Sequence, residues 1–64
     1  MKNLRKRRDK AGLSRYQLAK KADVSPETIE AIEMRGTATS VSNAVKLAAA
    51  LNTTVEDLIG KDSR

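Results

Sequence analysis

Apolar residues recur along this chain at helical spacing, and nowhere do they alternate as a strand requires. Leu18, Ala19 and Ala22 mark one buried stripe, and Ile29 and Ile32 a second. Val41, Ala44, Val45, Ala48 and Leu51 mark a third, with Leu47 beside it. Two weaker patterns flank them: Leu4 and Ala11 near the start, and Val55, Leu58 and Ile59 near the end. The pattern predicts helices over about Asn3 to Ala11, Arg15 to Ala22, Pro26 to Met34, Val41 to Leu51 and Val55 to Ile59. Leu13 and Val24, in the connections, are expected to enter the core.

The polar residues between the stripes are helix punctuation. Ser14 with Gln17 three residues on makes a capping box for the second helix. Asp23 stands where a left-handed turn suits Gly, Asn or Asp. Ser25 caps the third helix, Pro26 suits its first turn, and Glu27 places a negative charge at its positive end. Ser40 and Thr54 are set to cap the fourth and fifth helices, with Asp57 in the capping-box position after Thr54. Gly12, Asn52 and Gly60 can end helices in a left-handed conformation. Lys61 to Arg64 are expected to fray.

The span Ser14 to Glu33 is therefore two short helices joined by a tight turn. It resembles the helix-turn-helix of the lambda-repressor-like, Cro-type family, also called the Xre family. The resemblance runs from Leu4 to Ile59. It includes Gly12-Leu13-Ser14 before the motif and the Lys46 to Leu51 run after it. It implies an all-α, compact five-helix lambda-repressor-like DNA-binding domain, with the motif in the second and third helices. Three positions depart from the family's pattern. Arg7 stands where an apolar residue is usual, so the first helix is expected to pack more loosely or to turn the Arg7 stem across the core edge. Arg35 takes a glycine's place, with Gly36 following, which predicts a third helix ending one residue late. Thr39 replaces a common proline, which predicts a more mobile loop over Thr37 to Ser40.

Composition narrows the function. Sixty-four residues make a single domain, with an ordered core over about 3–60. Without cysteine or histidine there is no disulfide, no thiolate or imidazole metal site and no ordinary proton shuttle. No apolar run approaches the roughly 20 residues of a membrane span, and a cytoplasmic setting is expected. Tyr16 is the only aromatic residue, too few for a surface that stacks single-stranded bases. The net charge is +5 and unevenly spread. Residues 1–21 carry nine basic groups against Asp9 alone, whereas residues 22–64 carry four basic and seven acidic groups. A basic half of this kind suits a polyanion, although it also keeps a small protein soluble.

The resemblance implies that the third helix enters the major groove by its N-terminal end while the second lies across the backbone. The base-facing candidates are then Ser25, Pro26, Glu27, Thr28 and Ala31. Glu27 can only accept, so a cytosine amino group is its partner if it is more than a helix-dipole charge. Ala31 offers a methyl to thymine or simply avoids a clash. No Arg or Gln is present there to grip guanine or adenine, which shifts the expected affinity toward phosphates and DNA shape. The phosphate candidates are Arg15, Tyr16 (through its backbone amide), Gln17, Arg35, Ser40 and Ser42. Gln17 and Ser40 are also needed as caps. Lys6 and Lys10 extend the footprint or form a solvated face. Arg8 and Glu33 match a widely shared ion pair of the family, which is structural in role and can also fix an Arg near a phosphate, the structural role being favoured. Val55, Leu58 and Ile59 are candidates for a homodimer contact, with the core the favoured place for Leu58.

Glu27, Glu30 and Glu33 recur every third residue, and Glu56 and Asp57 are adjacent, which raises acid–base or divalent-ion chemistry. Helix starts and Arg8 account for most of these carboxylates. No nucleophile–base pair and no glycine-rich phosphate loop accompanies them. The expectation is a non-enzymatic domain with no metal, no cofactor, no small-molecule ligand and no membrane partner. Its function would be sequence-specific binding of double-stranded DNA, as a homodimeric repressor of phage or bacterial type on an inverted repeat. The alternative is a protein-interaction module on the same scaffold, such as an antitoxin or anti-repressor component, suggested by the acidic Glu27/Glu30 face.

Overall fold

The computed structural model describes residues 1–36 and 39–60. The predictions of a mobile loop at Thr37 and Ala38 and of a frayed tail at Lys61 to Arg64 lie outside the described residues. Five helices are present: α1 (Leu4–Lys10), α2 (Arg15–Ala22), α3 (Pro26–Arg35), α4 (Val41–Ala50) and α5 (Val55–Ile59). Among the described residues there is no strand.

Local capping chemistry sets most of the boundaries. The Gln17 backbone N–H donates to Ser14 Oγ at 3.0 Å, and the Ser14 N–H donates to Gln17 Oε1 at 2.8 Å. This reciprocal box opens α2. Ser25, Ser40 and Thr54 each accept one backbone N–H at the start of α3, α4 and α5, at 3.1–3.2 Å. Asp23 turns the chain between α2 and α3 in the left-handed region, with φ 61° and ψ 46°. A short polar side chain tolerates that conformation at less cost than a bulky one. The third helix does run one residue past Met34, to Arg35, and Gly36 ends it at φ 64°.

Leu4, Leu18, Ile29, Leu47 and Leu58 are fully buried, one from each helix. Ala19, Ala22, Ile32 and Ala48 fill the spaces between them, and Leu13 and Val24 pack against this cluster. Helix α2 packs on α3 and α4, α4 packs on α5, and α1 closes the bundle against α3 and α5. The small side chains of α2 and α4 allow those two helices close approach.

Three expectations are corrected. Ala11 is exposed; the second buried residue of α1 is Arg8. Val41 and Val45 are 81% and 53% exposed, while Leu47 is fully buried. Ala44 and Ala48 stand at the centre of the α4 stripe under either reading. The helix is rotated so that the bulkier Leu47 flank meets the core, where it buries more apolar surface than the valine flank. Finally, Asp57 is drawn out of its expected capping box with Thr54 by Arg7. The Arg7 Nη2 donates to Asp57 Oδ1 at 2.9 Å, and Thr53 Oγ1 donates to Asp57 Oδ2 at 2.9 Å. The Asp57 carboxylate is thus turned away from the Thr54 backbone, so α5 has a simple cap rather than a reciprocal box.

The same corner holds the N-terminus of α1. Asn3 makes no side-chain cap. Its Nδ2 donates to the Asp57 carbonyl at 2.8 Å and its backbone N–H to the Leu58 carbonyl at 3.0 Å. The first and last helices are therefore stitched together by polar contacts at one end of the bundle.

The rotation of α4 can be tested by truncation. Leu47→Ala should cost about 2–5 kcal/mol, enough to unfold much of a domain this small at room temperature. Val45→Ala should change stability by no more than about 0.5 kcal/mol. Urea denaturation followed by circular dichroism would read both.

Candidate nucleic-acid interface

The start of α3 is built as an open end. Pro26 and Glu27, in its first turn, are exposed, and Thr28 is half-buried. Ile29 and Ile32 anchor the helix from beneath, which leaves its N-terminal turn projecting from the bundle. Two of the base-facing candidates are already engaged. Ser25 Oγ accepts the Thr28 N–H, and the two hydroxyls lie 2.8 Å apart in a mutual hydrogen bond. Glu27 is left as the charged group of that end, and Ala31, half-buried, lies one turn further along.

Helix α2 starts nearby and contributes the strongest cation. Arg15 is intermediate in exposure and Tyr16 is 66% exposed. The Gln17 carboxamide oxygen is held by the capping box, so only its amide nitrogen is available to a phosphate. Arg15 is not a free surface charge: its Nε donates to Glu33 Oε1 at 2.9 Å and its Nη2 to Met34 Sδ at 3.6 Å.

Glu33 is the hub of this region. Its side chain is 1% exposed. Arg8 reaches it from α1 with two parallel bonds, Nε to Oε2 at 2.7 Å and Nη2 to Oε1 at 3.1 Å. The third nitrogen of Arg8, Nη1, donates to the Leu13 carbonyl at 2.9 Å. Burial alone would push the Glu33 pKa up; the bonds from Arg8 and Arg15 more than offset it and hold the carboxyl below its usual range. Arg8 is raised in turn, chiefly by its bonds to Glu33. The Arg8–Glu33 pair was expected from the sequence. The second guanidinium on the same carboxylate was missed, because nothing in the residue spacing says that Arg15 and Glu33 meet.

The remaining candidates are dispersed. Arg35 is exposed at the last position of α3. Ser40 is the cap of α4, its Oγ taken by the Asn43 N–H, and Ser42 is exposed in the first turn. Lys6 and Lys10 are exposed, but they line a small cleft with Asn3, Arg7 and Asp57, on the side of α1 that faces α5. The cations beside α3 are instead Lys2 and Arg5, which share a cleft with Ile32 and Glu33.

Of the proposed dimer residues, Leu58 is fully buried and belongs to the core. Val55 is half-buried and Ile59 is 47% exposed. Both line an apolar groove of about 320 Å³ with Met1, Val41 and Ala44. Val41, on the core stripe by its spacing, is a surface residue of this groove. Among the described residues no cluster of carboxylates is arranged to hold a metal ion. No helix there is long and apolar enough to cross a membrane.

Comparison with known families agrees with this geometry. A family model described as helix-turn-helix matches residues 4–58, nearly the whole chain. The chain belongs to the Cro/C1-type, Xre-like helix-turn-helix family. That family is one of DNA-binding regulatory domains and not of enzymes, and membership implies double-stranded DNA as the partner. No curated relative matches the chain. Within this Xre-like domain, α2 and α3 are the two helices of the motif.

The charge network has a pH signature. The folded-state pKa of Glu33 is lowered as described, and that of Asp57 is lowered by its bonds from Arg7 and Thr53. Each contributes stability that is complete above the ordinary carboxylate range and is withdrawn as pH falls through the lowered folded value. Urea midpoints should therefore be flat from neutral pH to about 5 and then decline steadily toward pH 2. Glu33→Gln should flatten part of that decline. A wild-type midpoint unchanged down to pH 3 would contradict the assignment.

Proposed function

We propose that this protein is a sequence-specific regulator of transcription that binds double-stranded DNA as a homodimer and represses by occupancy. One α3 would enter the major groove in each half-site of an inverted repeat, with half-sites about 10 bp apart or a multiple of that. The bound dimer would block polymerase or a competing regulator. Such a repressor, of phage or bacterial type, would work in the cytoplasm.

The observation that carries the reading is the pairing of an exposed α3 N-terminal turn with a clamped arginine on α2. Pro26 and Glu27 are open to a groove, and Arg15 is held by Glu33 at the end of α2 that would lie on the backbone. Arg15 is the principal phosphate contact, with the α2 N-terminal amides, Arg35 and Ser42 as supports. The Ser25 and Thr28 hydroxyls bond one another and keep one O–H free to donate, so direct readout falls to that proton, to Glu27 and to the methyl groups of Thr28 and Ala31. Specificity would then rest substantially on DNA shape. The Val41, Val55 and Ile59 groove is the proposed contact between protomers.

A second reading keeps the fold and changes the partner. Glu27 and Glu30 are both exposed on α3 and repel phosphate, which favours a basic protein surface over a duplex. A salt series separates the two. DNA binding predicts that log affinity falls linearly with log salt, with a slope of several units, and that Arg15→Ala reduces the slope by about 1. Glu27→Ala should shift base preference with little change in slope. Selection of duplexes from a random pool should return a palindrome. Tight capture of a basic protein with no duplex binding in dilute buffer would favour the second reading. Ile59→Lys should weaken binding to the full palindrome while leaving a single half-site nearly unaffected, as read by band shift.

A further inference from the structure

Two arginines share one buried carboxylate, and they are not equivalent. Arg8 engages all three guanidinium nitrogens, on Glu33, the Leu13 carbonyl and, through Nη1, Asp9, and its side chain is 10% exposed. Arg15 spends its Nε on Glu33 and one Nη2 bond on the weak acceptor Met34 Sδ, and its side chain is 37% exposed. Asp9 is a second carboxylate on Arg8, at 3.4 Å from Nη1, so the two cations meet two anions and Glu33 is the only one that Arg15 shares. What the hub leaves open is the outer edge of the Arg15 guanidinium, because Arg8 is enclosed.

We propose that Glu33 is a positioning residue for DNA binding: by accepting the Nε–H of Arg15 it fixes the guanidinium plane so that the outer Nη edge is presented to a phosphate as a rigid fork. This rests on the DNA-binding reading and adds to it. Arg15 then acts through its geometry as well as its charge. A planar fork held at its inner edge keeps two parallel donors for phosphate oxygens, and the side-chain entropy of aiming it is spent on folding rather than on binding. A lysine at the same place would bring the same charge without the inner bond or the fork. The carboxylate that secures α1 to α3 therefore also orders the α2 contact with the backbone.

The test is a salt series on Arg15→Lys, Glu33→Gln and the double variant, using one duplex that the wild type binds. Arg15→Lys should weaken binding about tenfold at every salt concentration while leaving the salt slope unchanged, because the charge count is the same. In the Glu33→Gln background the same change should cost no more than about twofold, the mark of coupling rather than additivity. Free wild-type protein should show a protected, ordered Arg15 Nε–H signal by NMR, lost in Glu33→Gln. An Arg15→Lys variant that binds like wild type overturns the proposal and leaves the DNA-binding reading standing. So do effects of the two substitutions that simply multiply. An Nε–H that exchanges freely in the wild type overturns it without recourse to Glu33→Gln, should that variant fold poorly. A wild type that binds no duplex in dilute buffer overturns both.

Discussion

A carboxylate excluded from water at the junction of three helices governs much of this domain. Glu33 is on α3, Arg8 comes from α1 and Arg15 from α2. A buried charge is costly unless it is paired and hydrogen-bonded, and here both carboxylate oxygens are engaged. Removing Glu33 would leave two guanidiniums facing one another, one of them enclosed. Apolar packing among Leu4, Leu18 and Ile29 tells these helices to associate but tolerates small rotations. Bidentate geometry does not. The network therefore contributes alignment of α2 against α3 more than net stability, and that alignment is what a helix-turn-helix requires.

The same hub divides labour on the surface. In the proposed complex the affinity chemistry would be gathered at the start of α2, while the leading face of α3 is poor in donors. Pro26 has no N–H, the Ser25 and Thr28 hydroxyls are mutually bonded, and Glu27 is anionic. If α3 reads the groove as proposed, a helix of this composition would discriminate by exclusion as much as by attraction. A carboxylate beside base edges penalises any step that offers only acceptors, and it rewards a cytosine amino group.

Legibility in the sequence follows the distance over which each interaction acts. The caps at Ser14, Ser25, Ser40 and Thr54 and the left-handed Asp23 were readable because each depends on residues within four positions, and the late end of α3 at Gly36 was readable as a departure from the family's pattern. The Arg8–Glu33 pair was readable only through family resemblance. Arg7–Asp57, fifty residues apart, and Arg15–Glu33, eighteen apart, were not. Salt-bridge partners across a fold leave no periodic trace. The phase of α4 was misjudged for a related reason. Val41, Val45 and Leu47 all border the Ala44–Ala48 stripe, and only the positions of α2 and α5 decide which flank turns inward. Thr54 and Asp57 have the spacing of a capping box, but a cation on another helix outcompeted the local backbone for the carboxylate.

The misjudged flank bears on the proposed dimer. A domain of 64 residues cannot cover all its apolar surface, so an isolated exposed valine has no special meaning. The groove at the α4–α5 end is different because its exposed and half-exposed apolar groups are contiguous: Met1, Val41, Ala44, Val55 and Ile59 line one concavity. A contact made only there would be small, well below the standard size of a stable interface. Such a dimer would be weak in solution and would form chiefly when two adjacent half-sites hold the protomers together, which supplies the association entropy through the DNA. A weak protein contact and a weak direct readout are then compatible with selective binding. In that arrangement each half-site alone would bind poorly, and only the correctly spaced pair of sites would recruit both the proposed phosphate clamps and the groove.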